Sequence, residues 1–454
     1  MSELRWVQTR SPEHIAQDAR QLFRTHYHYD PAGVWGAPGR VNVIGDHVDY
    51  AGGISIPFAL EQLTAVAMSP NTTGMFNLVS LAPNGETFTK IVSVDAVGPL
   101  NPNDWSGYVV GAIWAGTESG VIEKTQGYDI AIVSDVPLGS GLSSSAALEC
   151  STAVGAFELA NGRPPSHEEL PQLVDACVRA ENHVVGASTG GLDQRSSLFG
   201  QQGKALVIDF RSGITTPVPF DLASKGLALL IADTNAPHTL NDGQYASRRG
   251  LIDTVTAALG GAGETLRDIS DAPTRARQWA EDNGLNGEEA YRRVNHVVEE
   301  TLRAQQAAAA LEEEDMDAFR RLMQESHESL RDQYEVVTEE LESAFQAAGC
   351  YGSRMTGGGF GGSVISLVDA DKVTETAEQI AKAACQRGFP SPTFLIARPG
   401  EGARRLLWAR KGRRPGLVRA PLKLGKLLKK TKIVGGIYLI MNLSDSGRIW
   451  RNRL

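Results

Sequence analysis

Two observations in the sequence predict a mixed α/β or α+β protein built from two domains. The chain has 454 residues, of which 42% are hydrophobic, enough to fill more than one core. Its apolar periodicity switches repeatedly between helical and strand spacing, and no fixed-period repeat runs through it.

Taken in order, residues 13–25 carry helical spacing, and the apolar segments 34–37 and 41–45 predict strands entering a glycine-rich turn. Residues 129–135 (DIAIVSD) predict a strand, followed by the loop PLGSGLSSS and a helix over about 146–159. Another helix is predicted over 167–185. Strands at 205–210 and 227–233 precede a largely helical stretch, about 245–346, rich in Ala, Glu, Arg and Leu. After it come MTGGGFGG, a strand at 363–368, a helix at 371–387 and a last strand at 393–397. This order divides the chain into an amino-terminal domain, 1–207, and a more helical domain, 208–403.

Residues 404–454 break the pattern. They hold 15 Lys/Arg against one acid, Asp445, and only 433–443 is apolar. A disordered or artificially appended basic tail is expected there. Residues 1–403 then carry 29 bases against 52 acids, a net of −23, and such an acidic body has no electrostatic reason to bind nucleic acid. The four cysteines lie far apart without CxxC spacing, so neither a zinc site nor a disulfide framework is indicated. With no signal-like amino terminus and no run of 18 apolar residues, a soluble cytoplasmic protein without membrane partners is expected, a monomer being favoured.

Four polar segments carry the chemistry. In PLGSGLSSSAALE (137–149), Gly139 and Gly141 let backbone approach a phosphate, and three serines sit where a helix begins. Free N–H groups and the positive end of the helix dipole make an anion site there, although a glycine turn with serine caps reads the same locally. The Walker pattern GxxxxGK[ST] is absent. GAPGRVNVIGDHVDYAGG (36–53) packs Arg40, Asp46, His47 and Asp49 into ten residues, a mixture of donors and acceptors that suits a sugar's hydroxyls or equally a polar hairpin. MTGGGFGGS (355–363) formally contains GxGxxG, but the residues after it predict a strand, whereas a dinucleotide fingerprint opens a helix. Its glycines instead suit backbone closing over a phosphate or over the neighbouring domain. In ENHVVGASTGGLDQ (181–194), Asp193 follows a glycine turn that can turn a carboxylate into a cleft, and Glu181 stands 12 residues earlier, although as isolated acids both default to solvated or capping roles.

In this order and spacing, the segments resemble the galactokinases, members of the GHMP small-molecule kinase superfamily. The resemblance spans roughly residues 20–403. GRVNVIGDHVDYAGG is similar to the family signature GRVNLIGEHTDYNGG, and PLGSGLSSSAALE, GGLDQ, QYASRR (244–249) and MTGGGFGGS match further family motifs. The resemblance implies an α+β, two-domain GHMP kinase fold with the active site in the interdomain cleft. It also implies ATP-dependent phosphorylation of the anomeric hydroxyl of galactose. Arg40 and Asp193 take the catalytic positions. Asp46, His47, Val48, Asp49 and Tyr245 take the sugar site. Gly139, Ser140, Gly141, Leu142, Ser143, Ser144 and Ser145 take the ATP phosphates, and Ser145 and Glu181 the Mg²⁺. Asp193 either accepts the hydroxyl proton or orients it.

The chain departs from the family pattern at Asp46, usually Glu, at Val48, usually Thr, and at Ala51, usually Asn. Arg195 stands where a small or apolar residue is usual, two residues from Asp193. Rival readings are a GHMP kinase for N-acetylgalactosamine or arabinose, and a non-catalytic galactose and ATP sensor. Intact Ser144, Ser145, Ala146 and Ala147 in the phosphate loop favour the enzyme.

Overall fold

The structure, a computed structural model, describes residues 4–82, 85–236 and 241–408. The strand Pro57–Pro70 is the axis of the amino-terminal half. It pairs antiparallel with Gly33–Asn42 on one side and with Tyr128–Ser134 on the other. Met75–Leu81, Thr87–Ser93 and Arg404–Trp408 complete a six-stranded sheet. Successive side chains of a strand face opposite ways, and here both faces are covered. Val66 and Met68 point into a core with the helices Trp105–Glu118 and Ser144–Asn161. Ala65 and Ala67 point instead at Ile15, Ala19 and Phe23 of the helix Pro12–Tyr27. That helix is set by Ser11, whose hydroxyl accepts the His14 N–H, with proline at its first position. Its apolar residues recur every four positions, and each large one buried contributes about 1.5–3 kcal/mol.

The second half holds a five-stranded sheet in the order Arg5–Trp6, Thr393–Ala397, Leu227–Asp233, Ser363–Asp369 and Ser353–Thr356. Leu229, Ile231, Ile365, Leu367 and Leu395 share one core with Val41, Val43, Phe58 and Leu142 from the first half. Leu230, Ala232, Val364 and Phe394 face a second core, with the helices Asn241–Leu259, Ala272–Asp282, Gly287–Glu312 and Glu339–Ala347. The first and last described strands are exchanged between the halves. Arg5–Trp6 pairs with the second sheet, and Arg404–Trp408 pairs with Gly33–Asn42 of the first.

Several expectations are corrected. The two strands expected at 34–37 and 41–45 are one strand, Gly33–Asn42, with its register shifted between Pro38 and Arg40, and residues 43–45 lie beyond its end. The boundary expected at 207 falls inside the strand Lys204–Asp209, which is hairpin-paired to Thr215–Pro219. Residues 404–408 are not tail but an edge strand, because their backbone completes the open side of Gly33–Asn42. Residues 409–454, the rest of the expected tail, lie outside the described residues. The strands Pro57–Pro70, Met75–Leu81 and Thr87–Ser93 and the helix Trp105–Glu118 were not anticipated. The helix expected over 167–185 is Leu170–Arg179, continued by a wider π-helical turn, Ala180–Val185. No helix among the described residues is long and apolar enough to cross a membrane.

Candidate active site

Helix Ser144–Asn161 starts directly after the phosphate-loop candidate. Gly139 (φ 68°), Gly141 (φ 76°) and Ser143 (φ 56°) are all left-handed, which coils the loop onto the helix amino terminus and leaves the first N–H groups without helical partners. The residues expected at the phosphates are not equivalent. Ser140 is fully buried, its hydroxyl donating to Pro137 O (3.0 Å) and its carbonyl accepting from Ser363 Oγ (2.7 Å). Leu142 is buried in the core shared by the two halves, and its carbonyl accepts the Arg40 N–H. These two side chains therefore shape the loop from behind. Ser143, Ser144 and Ser145 remain half-buried at the helix start.

Strand Gly33–Asn42 delivers Arg40 to the same place. Its guanidinium meets Asp193 Oδ1 through Nε (2.8 Å) and Nη2 (2.6 Å), and Nη1 donates to Gly141 O (2.5 Å). Asp193 opens the helix Leu192–Phe199 after Gly191 at φ 100°. Its other oxygen, Oδ2, accepts from Ser143 Oγ (2.5 Å). The Asp193 side chain keeps 22% of its surface exposed, so a ligand can reach it, while Arg40 at 7% is a fixed support. Arg195 points elsewhere, donating to Gly213 O (2.9 Å), because residues two apart on a helix face nearly opposite sides. Its charge does not enter the site.

Glu181 sits in the π-helical turn, 8% exposed, and Gln194 Nε2 donates to it (2.6 Å) and to Glu149 Oε2 (2.9 Å). Such turns recur at functional sites. Burial, with the Asp193 charge added, pushes the Glu181 carboxyl up to about 7, while Gln194, Ser145 and Arg40 oppose the shift. Burial next to Glu181 also pushes Glu149 well above the usual carboxylate range.

The signature loop turns back between these groups and the second half. Asp49 stands against Gly190, where a β-carbon would come 2.2 Å from Oδ2, so only glycine fits. Burial and the neighbouring Asp193 raise the Asp49 carboxyl to about 6. The Tyr245 ring lies 5.3 Å from the His47 ring, and its hydroxyl has no hydrogen-bond partner among the described residues. Asp46 is held inside the protein, with Oδ2 on Arg354 Nη2 (2.6 Å) and Oδ1 on the Gly357 N–H (3.2 Å). His47, at φ 62°, has Nε2 on Gly358 O (3.0 Å) and Nδ1 on Tyr50 Oη (3.1 Å). Val48 is fully buried among Ala51, Leu230 and Val255, so its side chain offers nothing to a ligand.

The third glycine segment packs on the phosphate loop. A β-carbon on Gly357 would stand 3.1 Å from Gly141 O, and one on Gly362 would stand 3.2 Å from Ser140 O. A strand, Ser363–Asp369, follows it, as expected for a segment that is not a dinucleotide fingerprint.

Comparison with known proteins places the chain. The galactokinase galactose-binding signature matches residues 21–70, the GHMP kinase amino-terminal domain residues 107–201 and the GHMP carboxy-terminal domain residues 307–387. The chain is 38% identical to a galactokinase of Streptomyces coelicolor over 87% of its own length and 100% of the relative's. The chain belongs to the galactokinase family. A human galactokinase is also 38% identical, with 86% of this chain and 96% of the relative covered. The crystal structure of Lactococcus lactis galactokinase complexed with galactose superposes with a TM-score of 0.74 at 28% identity, over 86% of this chain and 99% of that one. A mevalonate kinase of Methanococcus jannaschii, 17% identical with a TM-score of 0.54, shares the fold. The α+β GHMP kinase fold and membership among the ATP-dependent sugar kinases follow.

Arg354, Tyr50, Tyr334, Gln194 and Glu149 also belong to this constellation, and sequence reasoning did not single them out. Arg354 directly precedes the third glycine segment and Gln194 follows Asp193, so their neighbours were a signal. Tyr334 had none, because only the fold brings it to the signature loop.

Proposed function

We propose that the chain transfers the γ-phosphoryl group of ATP to the anomeric hydroxyl of galactose, with Asp193 facing the attacking oxygen. The observation that carries this reading is the convergence on one carboxylate of Arg40, Ser143 and the start of the phosphate-loop helix. Arg40 occupies Oδ1 and fixes the plane of the carboxylate, which leaves Oδ2 to accept or orient the sugar proton once the light Ser143 hydroxyl turns away. Arg40 also lends positive charge beside the phosphoryl group in transfer.

The left-handed loop 139–143 and the first turn of the helix from Ser144 suit the phosphates of ATP. Glu181 and Ser145 fit a magnesium ion that travels with ATP: one buried carboxylate and one hydroxyl leave positions for water and phosphate oxygens, as this ion prefers. When bound, Mg²⁺ neutralises charge on the β- and γ-phosphates. Asp49, Asp193 and Tyr245 are the groups with capacity left for sugar hydroxyls. Intact Arg40 and Asp193 argue against a sensor that binds without turnover.

ADP release measured with a panel of free sugars tests the reading. Galactose should be the preferred acceptor. Efficient turnover of another sugar in its place would overturn the specificity, and no turnover with any sugar would overturn the chemistry.

A further inference from the structure

The hydrogen bonds around His47 have only one consistent direction. Gly358 O can only accept, so Nε2, 3.0 Å away, carries the proton. A neutral imidazole then presents Nδ1 as an acceptor, and Tyr50 Oη at 3.1 Å must donate to it. Tyr50 has one proton and has spent it, so Tyr334 Oη, 2.7 Å away, donates to Tyr50. The series therefore runs Tyr334 O–H to Tyr50, Tyr50 O–H to Nδ1, and Nε2–H to Gly358 O. Reversing any member leaves two lone pairs facing each other. Burial, which holds the imidazole down at about 3, agrees with a neutral ring.

His47 Nε2 donates to Gly358 O, and Asp46 Oδ1 accepts the neighbouring Gly357 N–H. Two adjacent residues of the signature loop thus grip two adjacent glycines, and the first of these, Gly357, abuts Gly141 of the phosphate loop. Tyr245 closes on the same place, since a β-carbon on Gly358 would stand 3.3 Å from its ring.

We infer that Tyr50 and Tyr334 are positioning residues: their hydroxyls, in series, hold His47 as the Nε2–H tautomer, and in that state His47, with Asp46, clamps the 357–358 segment against the phosphate loop. Asp46 and His47 then couple the sugar loop to the nucleotide loop. The inference rests on the reading of residues 137–145 as the nucleotide loop, but its first arm does not require that reading.

The test uses the full chain labelled with ¹⁵N-histidine, the His47 signals being those lost in His47→Gln. Wild type should show Nδ1 bare and Nε2 protonated. Tyr50→Phe, which removes the donor to Nδ1, should shift both signals toward a mixture of tautomers. Tyr334→Phe leaves that donor and should move them less. In calorimetry with Mg·ATP, Tyr50→Phe should weaken binding about fivefold, the worth of one net hydrogen bond, with a smaller change for galactose. A protonated Nδ1 in wild type would overturn the tautomer assignment, and His47 signals unmoved in Tyr50→Phe would overturn the positioning role of Tyr50. Shifted signals with unchanged Mg·ATP binding would overturn the clamp. Absence of ATP binding in wild type would sink the nucleotide-loop reading and the clamp built on it, and leave the tautomer assignment standing.

Discussion

Arg405→Ala in the strand Arg404–Trp408 should destabilise the fold measurably. Strand Arg404–Trp408 carries Arg405 to Glu158, with Nη1 2.8 Å from Oε1. The Glu158 side chain is 4% exposed and that of Arg405 18%. Removing one partner of a buried pair costs about 3–5 kcal/mol, because the remaining charge is left without compensation. Two features move the expectation to the low end: water reaches Arg405, and Trp35 Nε1 still donates to Glu158 Oε2 at 2.6 Å. A loss of about 3 kcal/mol follows. For a domain of about 150–250 residues each kcal/mol is worth roughly 2–4 °C, so Tm should fall by about 6–12 °C. Urea unfolding followed by tryptophan fluorescence supplies the free energy. Adding Glu158→Gln should recover part of the loss, since the neutral amide oxygen still accepts from Trp35 and no charge is stranded. Glu158 lies 14 residues along the helix from Ser144, roughly 20 Å from the phosphate loop, so the KM for ATP should stay unchanged in the folded variant. A loss below about 0.5 kcal/mol, the scale of an exposed pair, would refute the argument that this strand is tied into the core.

Ser145→Ala should raise the Mg²⁺ and ATP concentrations needed for half-maximal rate and leave galactose binding unaltered, a split that steady-state kinetics and sugar titration read directly. Burial holds His296 neutral with its ionisation lowered to about 4, so between pH 6.5 and 4 the unfolded chain binds its proton and the folded one does not. Stability from this group is lost as pH falls through that window, at up to about 1.4 kcal/mol per pH unit. Asp49, raised to about 6, and Glu181, raised to about 7, act in the opposite sense, since what they contribute is lost as pH rises through those values. The wild-type profile should therefore be shallow, and the difference between wild type and His296→Gln in urea titrations at pH 4–7 should isolate the histidine. A flat difference would remove His296 from the acid response.

Local patterns exposed what depends on local order. The turn chemistry of Gly139, Gly141 and Gly191, the strand after the third glycine segment and the helix after Ser144 were all legible, because each is fixed by residues within a few positions. Strand Pro57–Pro70 was not, since burial of both faces erases the alternation that marks a strand. Arg404–Trp408 was hidden by its charge: five residues with two arginines read as tail until Gly33–Asn42 offers a pairing edge and Glu158 a counter-ion. At the site, the grouping of Arg40, Asp49, Glu181, Asp193 and Tyr245 followed from the motifs. The inward engagement of Asp46, His47 and Ser140 depends on Arg354, Tyr50 and Ser363, two of them more than 200 residues away. One methylene fewer at Asp46 than in the family pattern coincides with a carboxylate that stays on Arg354 and the Gly357 N–H.

The most direct test of the account is transfer of labelled γ-phosphate from ATP to galactose by wild type and by Asp193→Asn, both substrates saturating, with sugar binding measured in parallel. Wild type should yield a sugar 1-phosphate, and Asp193→Asn should bind galactose normally while turnover falls roughly 100-fold or more, the scale of a lost general base. Labelled phosphate on a hydroxyl other than the anomeric one, or an Asp193→Asn enzyme within a few-fold of wild type, would contradict it.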